Sequence, residues 1–467
     1  MSRRTRHRLV ALCCLAGLTA APVAAQQSDV GALADRVFRA FTPSAPGCAV
    51  GVSQGGKVLL ERAYGMANME SGAALTATSI IEAGSVSKQF TAAAVTLLAL
   101  DGKLRFDDDI RKHFPELPTY ERPITVRMLL DHTSGLRDWG TIVGIGGWPR
   151  GSRAYTHAHV LEVIVRQRAL NYPPGDQYSY TNSGYNLLAM LVERVSGQSF
   201  QAFTKARLFD PVAMPQTSWR DDFRRTVPGR AQAYTPSATG IRLDMPFENV
   251  FGNGGLLTTV GDLLRWNEAL TKRTLGGALV DSLERTGVLT SGERITYAAG
   301  LTVDSYRGTP RLGHSGATAG YRAYLARYPA QDNLSVAVLC NTAIGAAGAL
   351  THGMVDGLAR GLAPASNVTS GNSNAGPSWQ PTAAELQRLV GDYESGEVGV
   401  RFSVALAEGR LWLQRAPADR AALVPTQPNS FTASGIGRIW FTQDGAATAV
   451  LHVGTDRAFD VWFTRAP

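Results

Sequence analysis

Apolar positions along the chain follow two spacings, and each spacing predicts its own kind of element. Over residues 29–41 the apolar residues recur at intervals that place them on one face of a helix. Two strand-like runs follow, at 48–53 and 57–64. Gly55 and Gly56 between them suit a two-residue hairpin turn. The amino end therefore predicts a helix followed by a β-hairpin.

The middle of the chain, roughly 104–270, has the pattern of helices and long loops. Strand-like runs resume at 301–306, 321–328 and 334–340. Their short connections favour antiparallel pairing, because parallel neighbours need long crossovers. The pattern predicts a sheet that begins at the amino end, is interrupted by a helical insertion and resumes later.

The carboxyl-terminal part differs in composition from the rest. Residues 366–378 are rich in Ser, Asn and Gly and indicate a linker. Beyond it, Thr382 and Glu385 form a capping box ahead of a short helix that reaches Val390. Short strand-like runs separated by turns then follow, at 400–406, 411–414, 439–442, 450–453 and 459–463. We expect a small β-sandwich or barrel here.

The first 25 residues have the order of a secretory signal peptide. Four arginines and no acid precede a short apolar run, and Val23, Ala24 and Ala25 offer small residues for cleavage. An amino-terminal anchor that is never cut is the alternative, although the run is short for a membrane span. We expect a periplasmic or secreted protein with no stable membrane span after cleavage.

Composition changes this picture little. Apolar residues make up 44% and charged residues 18%, which is typical of a globular protein. Of the 46 Lys and Arg residues, four lie in the predicted signal peptide, so the remainder exceeds the 38 acids by about four. No dense basic run or nucleic-acid motif accompanies this mild charge, and nucleic-acid binding is not expected.

The segment around Ser85 carries the strongest chemical signal. Apolar spacing predicts a helix of about four turns with Ser85 at its amino end. Lys88, three residues on, then lies one turn away on the same face. A desolvated lysine has a lowered pKa and can take the proton of a serine hydroxyl, while the helix amino terminus offers N–H groups to an oxyanion. A capping serine followed by a solvated lysine is the ordinary alternative.

Two further motifs follow in order. Tyr180 and Asn182 stand two apart on a predicted loop, where both could point into a cleft. Tyr180 could move a proton if cations lowered its pKa, and Asn182 could bind a lysine and a substrate carbonyl. Alternatively, Asn182 only caps the next helix. His314, Ser315 and Gly316 precede the 321–328 strand, where small residues would let a substrate lie along the backbone.

Together, S-x-x-K, Y-x-N and H-x-G resemble the penicillin-recognising serine hydrolases. This family includes class C β-lactamases, D-alanyl-D-alanine carboxypeptidases, D-aminopeptidases and related carboxylesterases. The resemblance runs from about Ala34 to Leu362 and includes the connecting segments 129–136 and 254–259. It implies an α+β fold, with an antiparallel sheet flanked by helices and a helical subdomain across the cleft. The tail resembles the small lipocalin-like β-domain that follows many such hydrolases.

The resemblance also implies roles for single residues. Ser85 would be the nucleophile, Lys88 and Tyr180 the base and acid pair, and Asn182 the residue that orients them. His314, Ser315 and Gly316 would line the opposite wall, and the backbone N–H groups of Ser85 and Ala317 would form the oxyanion hole. No cofactor or metal is implied, and the partner is a small-molecule or peptide substrate.

One departure bears on substrate choice. β-Lactamases of this family usually carry Lys-Thr-Gly where this chain has His314, Ser315 and Gly316. An unperturbed histidine has a pKa of about 6.5, so we expect His314 to be mostly uncharged at neutral pH. Acid and neutral substrates would then react alike, with preference for the acid growing as pH falls. Arg322 and Ser315 are near in sequence and could bind a carboxylate instead.

The resemblance also divides the chain. We assign residues 1–25 to the signal peptide, 26–365 to the hydrolase domain, 366–380 to the linker and 381–467 to a small barrel that folds separately. Cys48 and Cys340 should lie on neighbouring strands, because the first and last strands of the sheet are adjacent in the resembled fold. Export makes a disulfide possible, but we expect free thiols.

Three rival hypotheses remain open. Ser315 could be the nucleophile of an α/β-hydrolase elbow, although a strand follows it where a helix is needed. His157 and His159 could begin a metal site, although no third ligand stands at a suitable spacing. The chain could also be a catalytically weak penicillin-binding or peptidoglycan-binding protein of the same fold.

Overall fold

The computed structural model describes residues 21–365, 379–417, 420–444 and 448–466. The predicted signal peptide lies outside these residues except for 21–25, and the predicted linker lies outside them except for 379 and 380. The domain boundaries at these segments therefore stay predictions. Among the described helices, none has the length and apolar character needed to cross a bilayer.

The main sheet has six antiparallel strands in the order β3-β4-β5-β6-β1-β2. The predicted amino-terminal hairpin and the three later strands are all present, so the sheet does begin early and resume late. The strands are β1 Cys48–Gln54, β2 Lys57–Tyr64, β3 Thr302–Tyr306, β4 Thr309–Thr318, β5 Tyr321–Tyr328 and β6 Leu334–Cys340.

Helices cover both faces of this sheet. One face packs against α1 and α10 through a cluster that includes Val30, Phe38 and Met354. The first helix begins earlier than the predicted 29–41 helix. It also ends earlier, because the chain turns where Phe41 donates to the carbonyl of Phe38. The helices are α1 Ala21–Val37, α2 Lys88–Leu100, α3 Val126–Leu130, α4 Trp139–Ile145, α5 His157–Arg166, α6 Asn182–Ser196, α7 Phe200–Thr204, α8 Val260–Thr271, α9 Gly277–Glu284, α10 Ala347–Leu358 and α11 Ala383–Gln387.

The cysteines correct one expectation. Cys48 and Cys340 do lie on neighbouring strands, directly opposite each other in the β1–β6 register. Their side chains are buried on the same face of the sheet, with Cα atoms 3.9 Å apart, and they form a disulfide. The expectation of free thiols is therefore wrong, because the antiparallel register brings the two side chains within bonding distance.

The tail forms one nine-stranded antiparallel sheet, in the order β10-β9-β8-β7-β15-β14-β13-β12-β11. Its end strands are consecutive in the chain, so the two edges meet and the sheet nearly closes as a barrel. The predicted capping box of Thr382 and Glu385 precedes it. The strands are β7 Gly391–Ser395, β8 Val400–Ala407, β9 Arg410–Arg415, β10 Ala421–Ala422, β11 Val424–Gln427, β12 Ser430–Ala433, β13 Gly437–Asp444, β14 Thr448–Gly454 and β15 Val461–Arg465.

The barrel is docked on the helical subdomain through polar contacts. Arg137, which is 2% exposed, donates to the Glu397 carboxylate and to the carbonyl of Asp460. The other Glu397 oxygen accepts from the backbone N–H groups of Arg168 (2.8 Å) and Ala169 (3.1 Å). These contacts fix the turn between β7 and β8, through Glu397, and the turn between β14 and β15, through Asp460, against the hydrolase domain.

Candidate active site

Ser85 lies in a tight 3₁₀ turn, Gly84–Ser87, immediately before α2. The Ser87 hydroxyl braces this turn, since it donates to the carbonyl of Gly84 (2.5 Å) and accepts from the N–H of Leu256 (3.1 Å). Ser85 is half-buried, whereas the other residues of the turn are buried. The predicted helix is thus confirmed, but its α-helical part begins at Lys88, and Ser85 stands on the turn that leads into it.

Lys88 is fully buried, and its amine has three polar neighbours. The Nζ atom lies 3.3 Å from the Ser85 hydroxyl, 2.9 Å from the side-chain oxygen of Asn182 and 2.7 Å from the carbonyl of Asn253. A neutral amine can donate to the last two oxygens and turn its lone pair towards Ser85. The arrangement suits a base that takes the Ser85 proton.

The surroundings of Lys88 favour that neutral amine. Burial lowers its pKa well below the usual value, and the positive charges of Arg150 and Arg457 lower it further. The Asp138 carboxylate acts in the opposite direction, but burial has the larger effect. The alternative of a solvated lysine beside a capping serine therefore does not describe this site.

Tyr180 lies on the loop before α6, with its ring centroid 4.8 Å from Lys88 Nζ. Its hydroxyl is buried without a hydrogen-bond partner among the described residues. Burial raises its pKa well above the ordinary value, although nearby Ser85 and Arg457 act to lower it. The cations thus fail to lower the Tyr180 pKa, contrary to the condition set from the sequence, and the phenol keeps a proton that it can give to a leaving group.

Asn182 is the first residue of α6, and Thr181 before it is the cap, since its hydroxyl accepts from the N–H of Ser183. The Asn182 side chain is thus free to accept from Lys88. Its own N–H donates to the Asp138 carboxylate at 2.7 Å. Asp138 also accepts from the N–H of Thr141 at the start of α4. One carboxylate therefore fixes the starts of two helices behind the site.

His314 lies on β4, and both of its ring nitrogens are occupied. Nδ1 lies 2.6 Å from the carbonyl of Ser315 and must donate to it, so Nε2 accepts from the Tyr297 hydroxyl at 3.0 Å. Burial first, and then the charge of Lys88, lowers the His314 pKa to about 4. This agrees with the expectation that His314 is mostly uncharged at neutral pH, but the expected titration between pH 5 and 8 is wrong, because burial moves it to lower pH.

Two glycines let β4 pass against the Ser85 turn. A Cβ on Gly316 would lie 2.0 Å from the carbonyl of Ala83, and one on Gly84 would lie 2.6 Å from the N–H nitrogen of Ala317. Gly84 also has a φ of +51°, which favours glycine. This close approach brings the backbone nitrogens of Ser85 and Ala317 near each other, as an oxyanion hole requires.

Apart from Lys88, which is fully buried, the residues predicted for the site line one cleft of about 590 Å³. Beyond Gly313, β4 has no partner from β3, so its outer edge is open in the described structure. Ser315 lies in the middle of this strand and not at a strand-to-helix turn, which removes the elbow hypothesis. The lining comprises Gly84, Ser85, Arg150, Tyr180, Asn182, Asn253, Gly254, residues 314–318, Arg322, Ala323, residues 345–349 and Arg457.

Arg457, which comes from the turn between β14 and β15 of the barrel, was missed in the sequence. Its guanidinium lies 5.0 Å from the Tyr180 ring centroid, inside the cleft. Asp138, Asn253 and Tyr297 were also missed, although Asp138 and Asn253 stand beside the connecting segments 129–136 and 254–259. For Arg457 no local signal exists, since it belongs to a region with no catalytic motif.

The metal hypothesis finds no support in the part of the chain that the structure describes, where no cluster of metal-ligating side chains occurs. His157 and His159 are half-buried and engaged in other contacts, rather than lying on the helix surface. His157 Nε2 lies 3.1 Å from the carbonyl of Phe251, and His159 Nδ1 accepts from the N–H of Thr156. Both therefore support the local structure of α5.

Comparison with known families and sequences agrees with this geometry. The family model described as Beta-lactamase matches residues 34–361. Penicillin-binding protein 4* of Bacillus subtilis (strain 168) is 29% identical over 296 residues, which cover 59% of this chain and 64% of that protein. A D-aminopeptidase of Brucella anthropi is 28% identical over 285 residues, or 59% of this chain and 52% of that one. The chain thus spans between about half and two thirds of these relatives.

Solved structures share the fold over a longer stretch. The octameric penicillin-binding protein homologue from Pyrococcus abyssi has a TM-score of 0.62 at 21% identity, covering 94% of this chain and 99% of that one. A D-stereospecific amidohydrolase from Streptomyces sp. has a TM-score of 0.58 at 20% identity, over 71% of this chain and 99% of that one. At such identities these similarities concern the fold, which in the first case includes the tail.

Proposed function

Because the chain belongs to the β-lactamase family, we propose that it is a serine hydrolase that cleaves amide or ester bonds through an acyl-enzyme on Ser85. The observation that carries the proposal is the buried Lys88 amine, placed between the Ser85 hydroxyl and two oxygen acceptors. Such an amine is neutral enough to accept a proton and close enough to take it from Ser85.

Acylation begins when Lys88 Nζ takes the Ser85 proton and Ser85 Oγ bonds to the substrate carbonyl carbon. The carbonyl oxygen becomes an oxyanion that the N–H groups of Ser85 and Ala317 stabilise. Tyr180 then donates its phenolic proton to the leaving nitrogen or oxygen as the carbonyl–leaving-group bond breaks. The Lys88 ammonium returns its proton to Tyr180, which leaves both groups as they started.

Deacylation repeats the sequence with water as the nucleophile. Lys88 takes a proton from the water, whose oxygen bonds to the acyl carbon, and the same N–H groups stabilise the second oxyanion. The bond to Ser85 Oγ breaks, and Oγ takes a proton from the Lys88 ammonium, which returns Lys88 to the neutral amine. Asn182 keeps its bond to Lys88 throughout, with Asp138 fixing its backbone.

The substrate class is the next part of the proposal. The relatives named D-aminopeptidase and D-amino acid amidase support amides or esters of D-configured residues as substrates. The open outer edge of β4 beyond Gly313 suits an extended substrate that pairs with the strand. A β-lactam would acylate the same Ser85, and its rate of release would separate a hydrolase from a weak penicillin-binding protein.

Export is proposed on two grounds. The first 25 residues have the order of a signal peptide, and Cys48 pairs with Cys340, a bond that suits an oxidising compartment. The intact mass of unreduced protein from a periplasmic extract tests both points together. A mature chain that begins near residue 26 and is two hydrogens lighter than its reduced form is expected, and a full-length or fully reduced chain would contradict the proposal.

Replacement of Ser85 tests the function directly. Ser85→Ala should abolish labelling by a fluorescent phosphonate and lower kcat/KM for an activated D-alanyl ester by at least about 10³-fold. Ser315→Ala, in the same cleft, is the matched control and should retain most of the labelling, because both ring nitrogens of the neighbouring His314 are engaged with other partners. Labelling that survives in Ser85→Ala and disappears in Ser315→Ala would refute the assignment.

A further inference from the structure

We propose that Arg457, supplied by the carboxyl-terminal barrel, binds a free carboxylate of the substrate and makes the enzyme select acid-bearing amides or esters. The inference rests on the proposed function, since it concerns the substrate of the same Ser85 site. It assigns to the barrel a direct part in substrate choice.

The backbone of Arg457 is fixed before any substrate arrives. Its carbonyl accepts from the Asp138 N–H (3.1 Å) and from the Asn171 side chain (3.2 Å). Asn171 in turn accepts from the N–H of Phe459 at 2.9 Å. The turn is thus pinned to the hydrolase domain at Arg457 and at Phe459, which reduces the ordering that substrate binding must add.

The side chain of Arg457 enters the cleft without an acidic partner. It is half-buried over the Tyr180 ring, and within the described ranges no carboxylate forms an ion pair with it. The two other arginines of the cleft are already engaged. Arg150 is paired with Glu248, and Arg322 donates to the backbone carbonyls of Ala319 and Tyr321.

The charge of the cleft favours an anion. The described lining includes Arg150, Arg322 and Arg457 but no Asp or Glu. The carboxylate of Asp138 lies behind the site, where its oxygens accept from the N–H groups of Asn182 and Thr141. Among the charged lining residues, a substrate ammonium would therefore meet only like charges, whereas a carboxylate could accept two parallel hydrogen bonds from the Arg457 guanidinium.

Matched thioesters test the proposal. N-Benzoyl-D-alanyl thioesters of mercaptoacetate, of its methyl ester and of thiocholine share one acyl group and have anionic, neutral and cationic leaving groups. A second pair, N-succinyl-D-alanyl and N-(methyl succinyl)-D-alanyl esters, places the carboxylate on the acyl side. In at least one of the two series, the wild-type kcat/KM should be about tenfold or more higher for the acid than for its neutral analogue. Among the three thioesters, the thiocholine ester should be the slowest.

Substitutions identify the residue that is responsible for the preference for the acid. Arg457→Gln should bring the acid-to-neutral ratio close to one, and Arg457→Lys should restore part of it. Arg438→Gln, at an exposed arginine of the same barrel that stacks on Trp440, is the matched control and should leave the ratio unchanged. If Arg322→Gln removes the preference and Arg457→Gln does not, the carboxylate binds elsewhere and the proposal is overturned.

The two proposals fail in different ways. If none of the thioesters acylates Ser85 in the wild type, as intact mass would show, the proposed function is wrong. If all of them acylate Ser85 at similar kcat/KM, the function stands and the carboxylate proposal is wrong. That comparison uses the wild type alone, so it decides the matter even if Arg457→Gln is poorly folded.

Discussion

The two sides of the cleft are built in different ways. On one side, Ser85 and Lys88 lie three residues apart, and one turn and one helix fix their geometry. On the other side, Arg457 comes from the barrel, and its position depends on contacts between residues far apart in the chain. The first side carries the chemistry and the second is proposed to select the substrate. Local structure therefore places the nucleophile and its base, while selection depends on how the barrel docks.

On the Ser85 side of the cleft, loss of the buried Lys88 amine is expected to have the largest effect on activity. Lys88→Met keeps a chain of similar length but removes the proton acceptor, so kcat/KM should fall by about 10³- to 10⁴-fold. Acyl-enzyme formation measured in a single turnover is the readout. Lys103→Met, at an exposed lysine beyond the same helix, should behave as wild type. Acylation of Lys88→Met at the wild-type rate would mean that another group takes the Ser85 proton.

The next largest effect is expected from a substitution that weakens the contact between the barrel and the hydrolase domain. Glu397→Gln keeps the acceptor for the N–H groups of Arg168 and Ala169 but leaves Arg137, which is 2% exposed, without its counter-charge. Removing one partner of a buried ion pair destabilises a protein strongly, and we expect a loss of about 3 kcal/mol in the free energy of unfolding. Urea unfolding followed by circular dichroism measures it.

An exposed ion pair of the same barrel provides the control for this experiment. Glu394→Gln breaks a pair with Arg401 in which both side chains are about half exposed, and it should cost less than about 1 kcal/mol. Glu397→Gln should also lower the acid-to-neutral ratio, because Arg137 anchors Asp460 close to Arg457. Equal effects of the two substitutions would mean that the Arg137–Glu397 pair does not fix the barrel.

The same contrast explains what could be predicted from the sequence. The hairpin across Gly55 and Gly56, the helix after Ser85 and the capping box of Thr382 were predictable, because each depends on neighbours within a few residues. The barrel itself was predictable from its alternating strands, but β7 and β10–β12 were missed because they are short and weakly patterned. A separately folding tail was expected, whereas the observed barrel shares buried polar contacts with the hydrolase domain.

Residues whose properties depend on distant neighbours were predicted less well. His314 was found by motif, but its pKa depends on burial beneath Tyr297 and beside Lys88, which the sequence does not reveal. The Tyr180 pKa rises although cations are close, because burial has the larger effect. The pairing of Cys48 with Cys340 depended on strand register, and the place of Arg457 depended on docking.

The smallest expected effect is the electrostatic influence of Arg457, on one side of the cleft, on the pKa of Lys88, on the other side. The positive charge of Arg457 helps to lower the Lys88 pKa, which burial lowers most. Activity requires the neutral amine, so kcat/KM should fall as pH drops through the Lys88 pKa. Removing the charge in Arg457→Gln should raise that pKa and move the acid limb to higher pH, by up to about one unit. Arg457→Lys, which keeps a charge, should move it less.

A pH series with a neutral ester isolates this effect from carboxylate binding, since that substrate carries no charge of its own. Between pH 5 and 8 the His314 ring should stay neutral, because burial lowers its pKa to about 4. An acid limb in this range would therefore not be that of His314, and His314→Gln should leave its midpoint in place even if the rate changes. A midpoint that moves with His314→Gln but not with Arg457→Gln would show that the two sides of the cleft are not coupled through Lys88.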